Sequence, residues 1–264
     1  MQKGIKFRAY PNKEQQNLIN QTFGWGWQDR KGNRGGKLLD FGYYNMDCMQ
    51  GMKEFPDKYF DLAIVDPPYG IGVGSMSYTN GVQIVGKALA KRTDYSGQTN
   101  WDEKIPEKEY FDELFRVSKN QIIWGGNYFT EFLPPTKSWI VWDKRTEDKY
   151  TNDFADCELA WCSKGVARVY RYLYNGMLQG NMKNKQKRFH PTQKPICLYE
   201  WLLSRYAKEG DIILDTHVGS ASSLIACYNM NHKFVGFELD KYYYKLSKKR
   251  LDAEMAQMRI SDFI

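Results

Sequence analysis

No stretch of the 264-residue chain approaches the roughly 20 consecutive apolar residues that a membrane-crossing helix needs. Mean hydropathy is −0.66, so a membrane-spanning protein is not expected. Cysteine is sparse and poorly spaced. Cys48, Cys157, Cys162, Cys197 and Cys227 form no C-x-x-C pair, which argues against both a disulfide scaffold and a zinc site. The three histidines, His190, His217 and His232, are not at ligand spacing, and no metal is expected. The opening residues MQKGIKFRAYPNKEQQ lack an apolar signal core, so a cytoplasmic location is expected. What is present is positive charge and aromatic rings. There are 38 Lys+Arg against 31 Asp+Glu, a net charge of +7, and 16% aromatics, with 19 Tyr, 14 Phe and 8 Trp. Base stacking with phosphate binding would account for both, as would a basic protein with an aromatic core. With 42% apolar and 26% charged residues the chain as a whole is not disordered, and its length suits one α/β domain with insertions.

Residues 1–36 read as a separate helical segment and linker. A short helical pattern carries Leu18, Ile19 and Phe23 on one side and ends at Gly24, before the basic, glycine-rich WGWQDRKGNRGG. Residues 37–264 then read as one α/β domain. KLLDFGYYNMD suggests a hairpin-like strand pair, and YFDLAIVD is an apolar run, a buried strand stopped by Asp-Pro-Pro. Residues 72–104 read as a long loop and 107–118 as an amphipathic helix. Strands are expected at 121–124, 138–142, 157–162, 211–215 and 233–238, and helices at 195–208, 220–229 and from Asp240 onward. Strands alternating with helices predict a mostly parallel, Rossmann-like sheet covered on both faces.

Chemistry concentrates first at Asp66-Pro67-Pro68-Tyr69, at the carboxyl end of a buried strand, where open α/β sheets bind ligands. A carboxylate accepts from an amino group, prolines leave carbonyls free of sheet partners, and a tyrosine ring gives a base a flat face. D-P-P-Y in this position resembles the hallmark of the amino-methyltransferases, which methylate exocyclic nitrogens of adenine or cytosine in DNA and sometimes RNA.

A second site is the segment DIILDTHVGSASSLIACYNMNHKFVGFELD, residues 211–240, which runs strand, small-residue turn, helix and strand, ending in Glu238. It does not match G-x-G-x-x-G and offers no phosphate cradle, which disfavours a dinucleotide and an oxidoreductase. It resembles the same family's D-P-F-x-G-S-G-T cofactor motif, with Thr216 for Pro, His217 for Phe and Ala221 for Gly. Between the two sites, His190-Pro191-Thr192-Gln193-Lys194-Pro195 resembles the family's H-P-T-Q-K-P element.

The order of these elements is that of the β-class DNA amino-methyltransferases, and the resemblance spans about 37–251. It implies a circularly permuted methyltransferase fold with a small target-recognition insert at about 144–189. S-adenosyl-L-methionine would be the cofactor, held by Asp47, Asp66, Thr192, Lys194, Asp215, His217, Gly219, Ser220, Ala221 and Glu238. Thr192 and Lys194 would meet the methionine carboxylate, and Ala221 would narrow the room beside the cofactor. Asp66, Pro67, Pro68 and Tyr69 would be catalytic, acting on adenine N6 in a base flipped out of double-stranded DNA. Cytosine N4, RNA adenine, or a non-catalytic nucleic-acid-binding module with a decayed cofactor pocket are the alternatives. The stretch 164–194 holds no Asp or Glu and interleaves Tyr170, Tyr172, Tyr174 and Phe189 with basic residues. Its Lys164, Arg168, Arg171, Lys185, Lys187 and Arg188, with Lys87, Lys91 and Arg92 of the long loop, are the candidate DNA contacts. The family also implies a homodimer and a cognate restriction endonuclease as partners, in a restriction-modification system, a mobile element or a phage. Near the start of the chain, IKFRAYPNKEQQNLINQTFG resembles the N-terminal helical piece of OrfB-like transposases.

Overall fold

The computed structural model describes residues 39–72, 102–145, 155–175 and 178–256, together with the backbone of 83–85 and 88–90. The expected N-terminal segment 1–36 and the candidate DNA contacts Lys87, Lys91 and Arg92 lie outside the described residues.

The strands are β1 (Gly42–Asn45), β2 (Leu62–Val65), β3 (Gln83–Val85), β4 (Ala88–Ala90), β5 (Gln121–Trp124) and β6 (Trp139–Asp143). They continue with β7 (Cys157–Cys162), β8 (Arg168–Arg171), β9 (Tyr174–Asn175), β10 (Leu178–Gln179), β11 (Ile212–Asp215) and β12 (Lys233–Glu238). The helices are α1 (Cys48–Lys53), α2 (Lys108–Val117), α3 (Ile196–Tyr206), α4 (Ser222–Asn229) and α5 (Lys241–Met255).

Eight strands form one sheet in the order β1-β12-β11-β2-β5-β7-β6-β8. All neighbours are parallel except β7, which runs antiparallel to both β5 and β6. The central strands read as unbroken apolar runs because both of their faces are covered. Along β2, Leu62 and Ile64 point into a core shared with Leu202 of α3, Leu224 of α4 and Leu251 of α5. Ala63 and Val65 point the other way, toward Met52 of α1 and Phe111 and Leu114 of α2. Helices therefore lie on both faces of a mostly parallel sheet, as the alternation of elements predicts.

Three expectations change. The stretch 37–47 is not a hairpin: β1 pairs in parallel with β12, and Asp47 caps α1 by accepting from the Met49 N–H. Its strand partner lies almost 200 residues away, and local pattern carries no record of such a partner. The long loop contains an antiparallel hairpin, β3 with β4. Of the stretch 144–189, expected as an insert, β7 and β8 are strands of the main sheet. The rings of Tyr170, Tyr172 and Tyr174 pack against the α3–α5 core, with Tyr170 and Trp201 centroids 5.0 Å apart; Tyr174 is buried, and Tyr170 and Tyr172 are half-buried.

Helix α1 fixes where Asp47 sits, and it approaches β12 closely because Gly51 has no side chain. A Cβ there would lie 2.4 Å from the Phe237 ring. Gly51→Ala is expected to cost about 1–3 kcal/mol through overpacking, read from the midpoint of urea denaturation.

Candidate active site

A cavity of about 840 Å³ lies across the carboxyl ends of β1, β12, β11 and β2. Each of those strands delivers one element of the site. Asp47 follows β1, Glu238 ends β12, the turn Thr216–Ser220 follows β11, and Asp66 with Pro68 follows β2. The segment His190–Lys194 closes another side through His190, Thr192, Gln193 and Lys194.

Asp66 is tied on both oxygens. Its Oδ1 accepts from the Tyr69 hydroxyl at 2.5 Å, and its Oδ2 lies 2.5 Å from Lys194 Nζ. Lys194 is 2% exposed and also meets Glu158 Oε2 at 3.2 Å. Glu158, on β7, meets Lys144 Nζ at 3.1 Å through its other oxygen. Two carboxylates and two ammonium groups thus alternate in a chain. Burial would neutralise Lys194, but Asp66 and Glu158 outweigh it and raise its pKa, so it stays cationic. Burial pushes the Asp66 carboxyl up, against the pull of Lys194. Glu158 is held below its ordinary value because Lys194 and Lys144 together overcome its burial. Lys194 therefore faces Asp66 and Glu158, not an empty anion site.

The Tyr69 ring is fixed as well. Asp102 Oδ1 accepts the backbone N–H groups of Tyr69 and Gly70 at 2.7 and 3.0 Å. The ring stacks on Tyr128, with centroids 5.0 Å apart and planes 15° apart. Tyr69 itself is not part of the cavity wall.

The turn after β11 is built from its departures from the family pattern. The Thr216 hydroxyl bridges the Tyr110 hydroxyl at 2.6 Å and His217 Nδ1 at 2.9 Å. Burial lowers His217 to about 4, so a neutral ring faces the cavity. Glu238 accepts from the Gly219 N–H at 2.8 Å and the Asp240 N–H at 2.9 Å. Burial nevertheless pushes its carboxyl up to about 7.

Two expected cofactor residues do not reach the cavity. Asp215 is 2% exposed and lies beneath the turn, accepting from Ser223 Oγ and from the His217 N–H. Ala221 is fully buried, with φ +61° at the start of α4. It does not narrow the cavity, and its effect is backbone strain in a left-handed conformation that costs a non-glycine residue about 1–2 kcal/mol. Asp47, Asp66, Thr192, Lys194, His217, Gly219, Ser220 and Glu238 do line it.

The basic stretch is divided by the sheet. Because β7 is antiparallel, Lys164 follows it at the end of the sheet opposite Asp66, and Arg168 begins β8 at that same end. Arg171 closes β8 at the Asp66 end, 3.4 Å from Asp143. Lys185 and Lys187 are exposed on the segment leading to His190. Arg188 lies on the Tyr174 ring, 3.7 Å from its centroid.

Known proteins now bear on this arrangement. A DNA methylase family model (N6/N4) matches residues 119–249. The Type II methyltransferase M.HpaI of Haemophilus parainfluenzae is 42% identical over 245 residues, covering 79% of this chain and 73% of that protein. The chain belongs to the N6/N4 DNA methylase family. Type II methyltransferase M2.DpnII of Streptococcus pneumoniae is 24% identical to the methylase over 264 residues, covering 83% of this chain and 96% of that one. Among solved structures, TTHA0409 of Thermus thermophilus shares the methylase's fold, with a TM-score of 0.51 at 16% identity, over 83% of this chain and 98% of that one. A helix-turn-helix domain model of the OrfB type matches residues 1–25. Among the described residues, no helix is long and apolar enough to cross a membrane, and no cluster of His, Cys, Asp or Glu is arranged to hold a metal ion.

Sequence reasoning missed Glu158, Lys144, Asp102 and Gly125. Each reaches the site from a different element, so only the sheet order brings them together. Gly125 alone left a signal, as the first glycine of Gly-Gly directly after a buried strand. Its φ is +68°, and a Cβ would lie 2.2 Å from the Tyr69 ring. Gly125→Ala is expected to cost about 2–4 kcal/mol from left-handed strain plus overpacking. Displacing Tyr69 should also lower methyl transfer to DNA more than tenfold under conditions where the variant is still folded by circular dichroism.

Proposed function

We propose that this methylase transfers a methyl group from S-adenosyl-L-methionine to N6 of adenine in double-stranded DNA, acting on a base flipped out of the helix. The observation that carries the reading is the Asp66 carboxylate. It stands at the wall of a cavity of about 840 Å³, oriented by Tyr69 and Lys194 on its two oxygens.

The residues present fit the cofactor. A volume of about 840 Å³ is in the range of small-molecule sites. Glu238 ends the strand after the turn, where an acidic residue meets ribose hydroxyls. Asp47 and His217 border the same space and are assigned to the adenosine end, with Thr192 toward the methionine end. Gly219 borders the cavity with φ +53°, a left-handed conformation that glycine adopts without strain. When bound, S-adenosylmethionine supplies an electrophilic methyl group on a sulfonium.

An exocyclic amine is a weak nucleophile because its lone pair is delocalised into the ring. Asp66 and the carbonyl of Pro67, in a proline pair with no sheet donors, accept its two N–H bonds and turn the lone pair toward the methyl carbon. With the cofactor held there, the amine nitrogen would take the methyl carbon as its bond to sulfur breaks, the electron pair leaving with sulfur. The surplus proton on nitrogen passes to Asp66, whose buried, raised carboxyl suits it as an acceptor. Lys194 and Glu158 hold Asp66 in place and do not touch the base. Pro68 stiffens the turn, and Tyr69 offers its ring to the base. Asp as the first residue of the motif supports adenine over cytosine within the family.

The DNA face is assigned to the Asp66 end of the sheet, with Arg171, Lys185 and Lys187 as phosphate contacts; the opposite-end Lys164 and Arg168 are assigned to outer contacts. The kinship with Type II methyltransferases supports a restriction-modification role; a cognate endonuclease, a cytoplasmic location and a homodimer complete the proposal.

Nucleoside mass spectrometry of DNA methylated by the purified protein tests the reading. N6-methyladenine is expected, whereas N4-methylcytosine would move the target, methylation confined to RNA would change the substrate, and no cofactor binding would mark a decayed pocket. Asp66→Ala should reduce transfer by at least about a thousandfold while S-adenosylmethionine still binds; activity close to wild type in that variant sinks the mechanism. Glu238 gives a pH test. With its carboxyl near 7, the protonated form cannot accept both backbone N–H groups and a ribose hydroxyl, so binding releases a proton. Cofactor affinity measured by calorimetry should therefore rise several-fold from pH 6 to pH 8, and Glu238→Gln should be weak and flat across that range.

A further inference from the structure

The ring that the proposed mechanism offers to the base is already covered. Four groups surround the Tyr69 ring: Gly125 behind it, Phe129 edge-on at 6.1 Å, the Lys194 ammonium 5.8 Å from its centroid, and Tyr128 stacked on it at 5.0 Å. Gly125 is buried, Phe129 is 1% exposed and the Lys194 side chain 2% exposed, whereas Tyr128 is 43% exposed. Of these four, Tyr128 is the most exposed, and Tyr69 itself is half-buried. At 15° and 5.0 Å the two rings touch, with no layer between them for a third flat ring.

The two tyrosines are held very differently. Tyr69 is fixed by its hydroxyl on Asp66, its backbone on Asp102, and the tight space at Gly125. Tyr128 sits on the short 3-10 turn Gly126–Tyr128 that leaves the carboxyl end of β5, next to β2, with its N–H donating to Gly125 O at 2.8 Å. Among the described residues its ring contact is the stack on Tyr69, and the residue is 43% exposed. A half-exposed aromatic laid on a rigid one, beside a carboxylate meant for an amine, is a stand-in for a base.

We propose that Tyr128 is a further residue of the target-base site: in the free protein its ring occupies the stacking position on Tyr69 that a flipped base takes, and it gives up that position when the base enters. This rests on the reading that the base stacks on Tyr69. The device shields the face of Tyr69 from water while the site is empty. It also sets a threshold, because only a flat ring that stacks at least as well, and that places an amine on Asp66, displaces Tyr128 at little cost.

Steady-state transfer from tritiated S-adenosylmethionine to DNA from a methylase-deficient strain tests this. Removing the stand-in removes the cost of displacing one stacked pair, so Tyr128→Ala should lower KM for DNA roughly two- to tenfold, with the change in KM rather than kcat. Tyr128→Phe, which keeps the ring, should return KM to the wild-type value. An unchanged or raised KM in Tyr128→Ala overturns the proposal, the raised value marking Tyr128 as a fixed wall of the site. Tyr69→Ala separates the two levels of the argument. If it raises KM while Tyr128→Ala fails to lower it, only the stand-in falls; if Tyr69→Ala changes neither KM nor kcat, the base does not stack on Tyr69 and the underlying reading falls with it.

Discussion

A single buried ammonium organises this site. Lys194, 2% exposed, is shared between Asp66 and Glu158, and each contact joins a different part of the chain. Asp66 follows β2, Glu158 lies on β7, and Lys194 belongs to the segment entering α3. Burying one cation beside one carboxylate is roughly break-even, because desolvation offsets the attraction. A second carboxylate tips the balance, and Lys144 in turn neutralises Glu158. The arrangement keeps the Asp66 carboxylate oriented through two side chains, the Tyr69 hydroxyl on one oxygen and the Lys194 ammonium on the other.

The sheet makes that sharing possible. Its parallel core sends β1, β12, β11 and β2 to the same end, so their carboxyl-terminal residues meet around one cavity. Antiparallel β7 then brings Glu158, near its beginning, to that end, opposite Trp142 and next to the Asp143 position that closes β6. The same reversal sends Lys164 to the far end. One strand direction thus assembles the ion chain and divides the basic surface.

The turn after β11 shows how departures from a pattern compensate one another. Thr216 and His217 look, one at a time, like losses from a cofactor motif. In the structure the Thr216 hydroxyl joins Tyr110 to the His217 ring, so the two substitutions form one hydrogen-bonded unit with a neutral, flat wall. Ala221 is different: it adds strain where glycine adds none.

Much of the fold was legible from local pattern. Unbroken apolar runs gave β2, β5 and β11, Asp240 marked the start of α5, and Asp66-Pro67-Pro68-Tyr69 was correctly placed at a strand's carboxyl end. Those features depend on neighbours a few residues apart, and a chain records such relations directly. The hairpin expected at 37–47 failed, and the packing of Tyr170, Tyr172 and Tyr174 against the core left no local signal, because a strand's partner and a ring's burial depend on distant segments. By itself the sequence determined which groups stand together: a carboxylate, two prolines and a tyrosine in one turn, and an acidic residue after a small-residue turn. Only the tertiary structure decided which of them face the cavity, that Lys194 serves Asp66 and Glu158, and that Tyr128 covers Tyr69. The reason is geometric: contacts across a sheet join residues whose spacing along the chain is arbitrary, whereas caps, turns and strand ends are fixed by spacing alone.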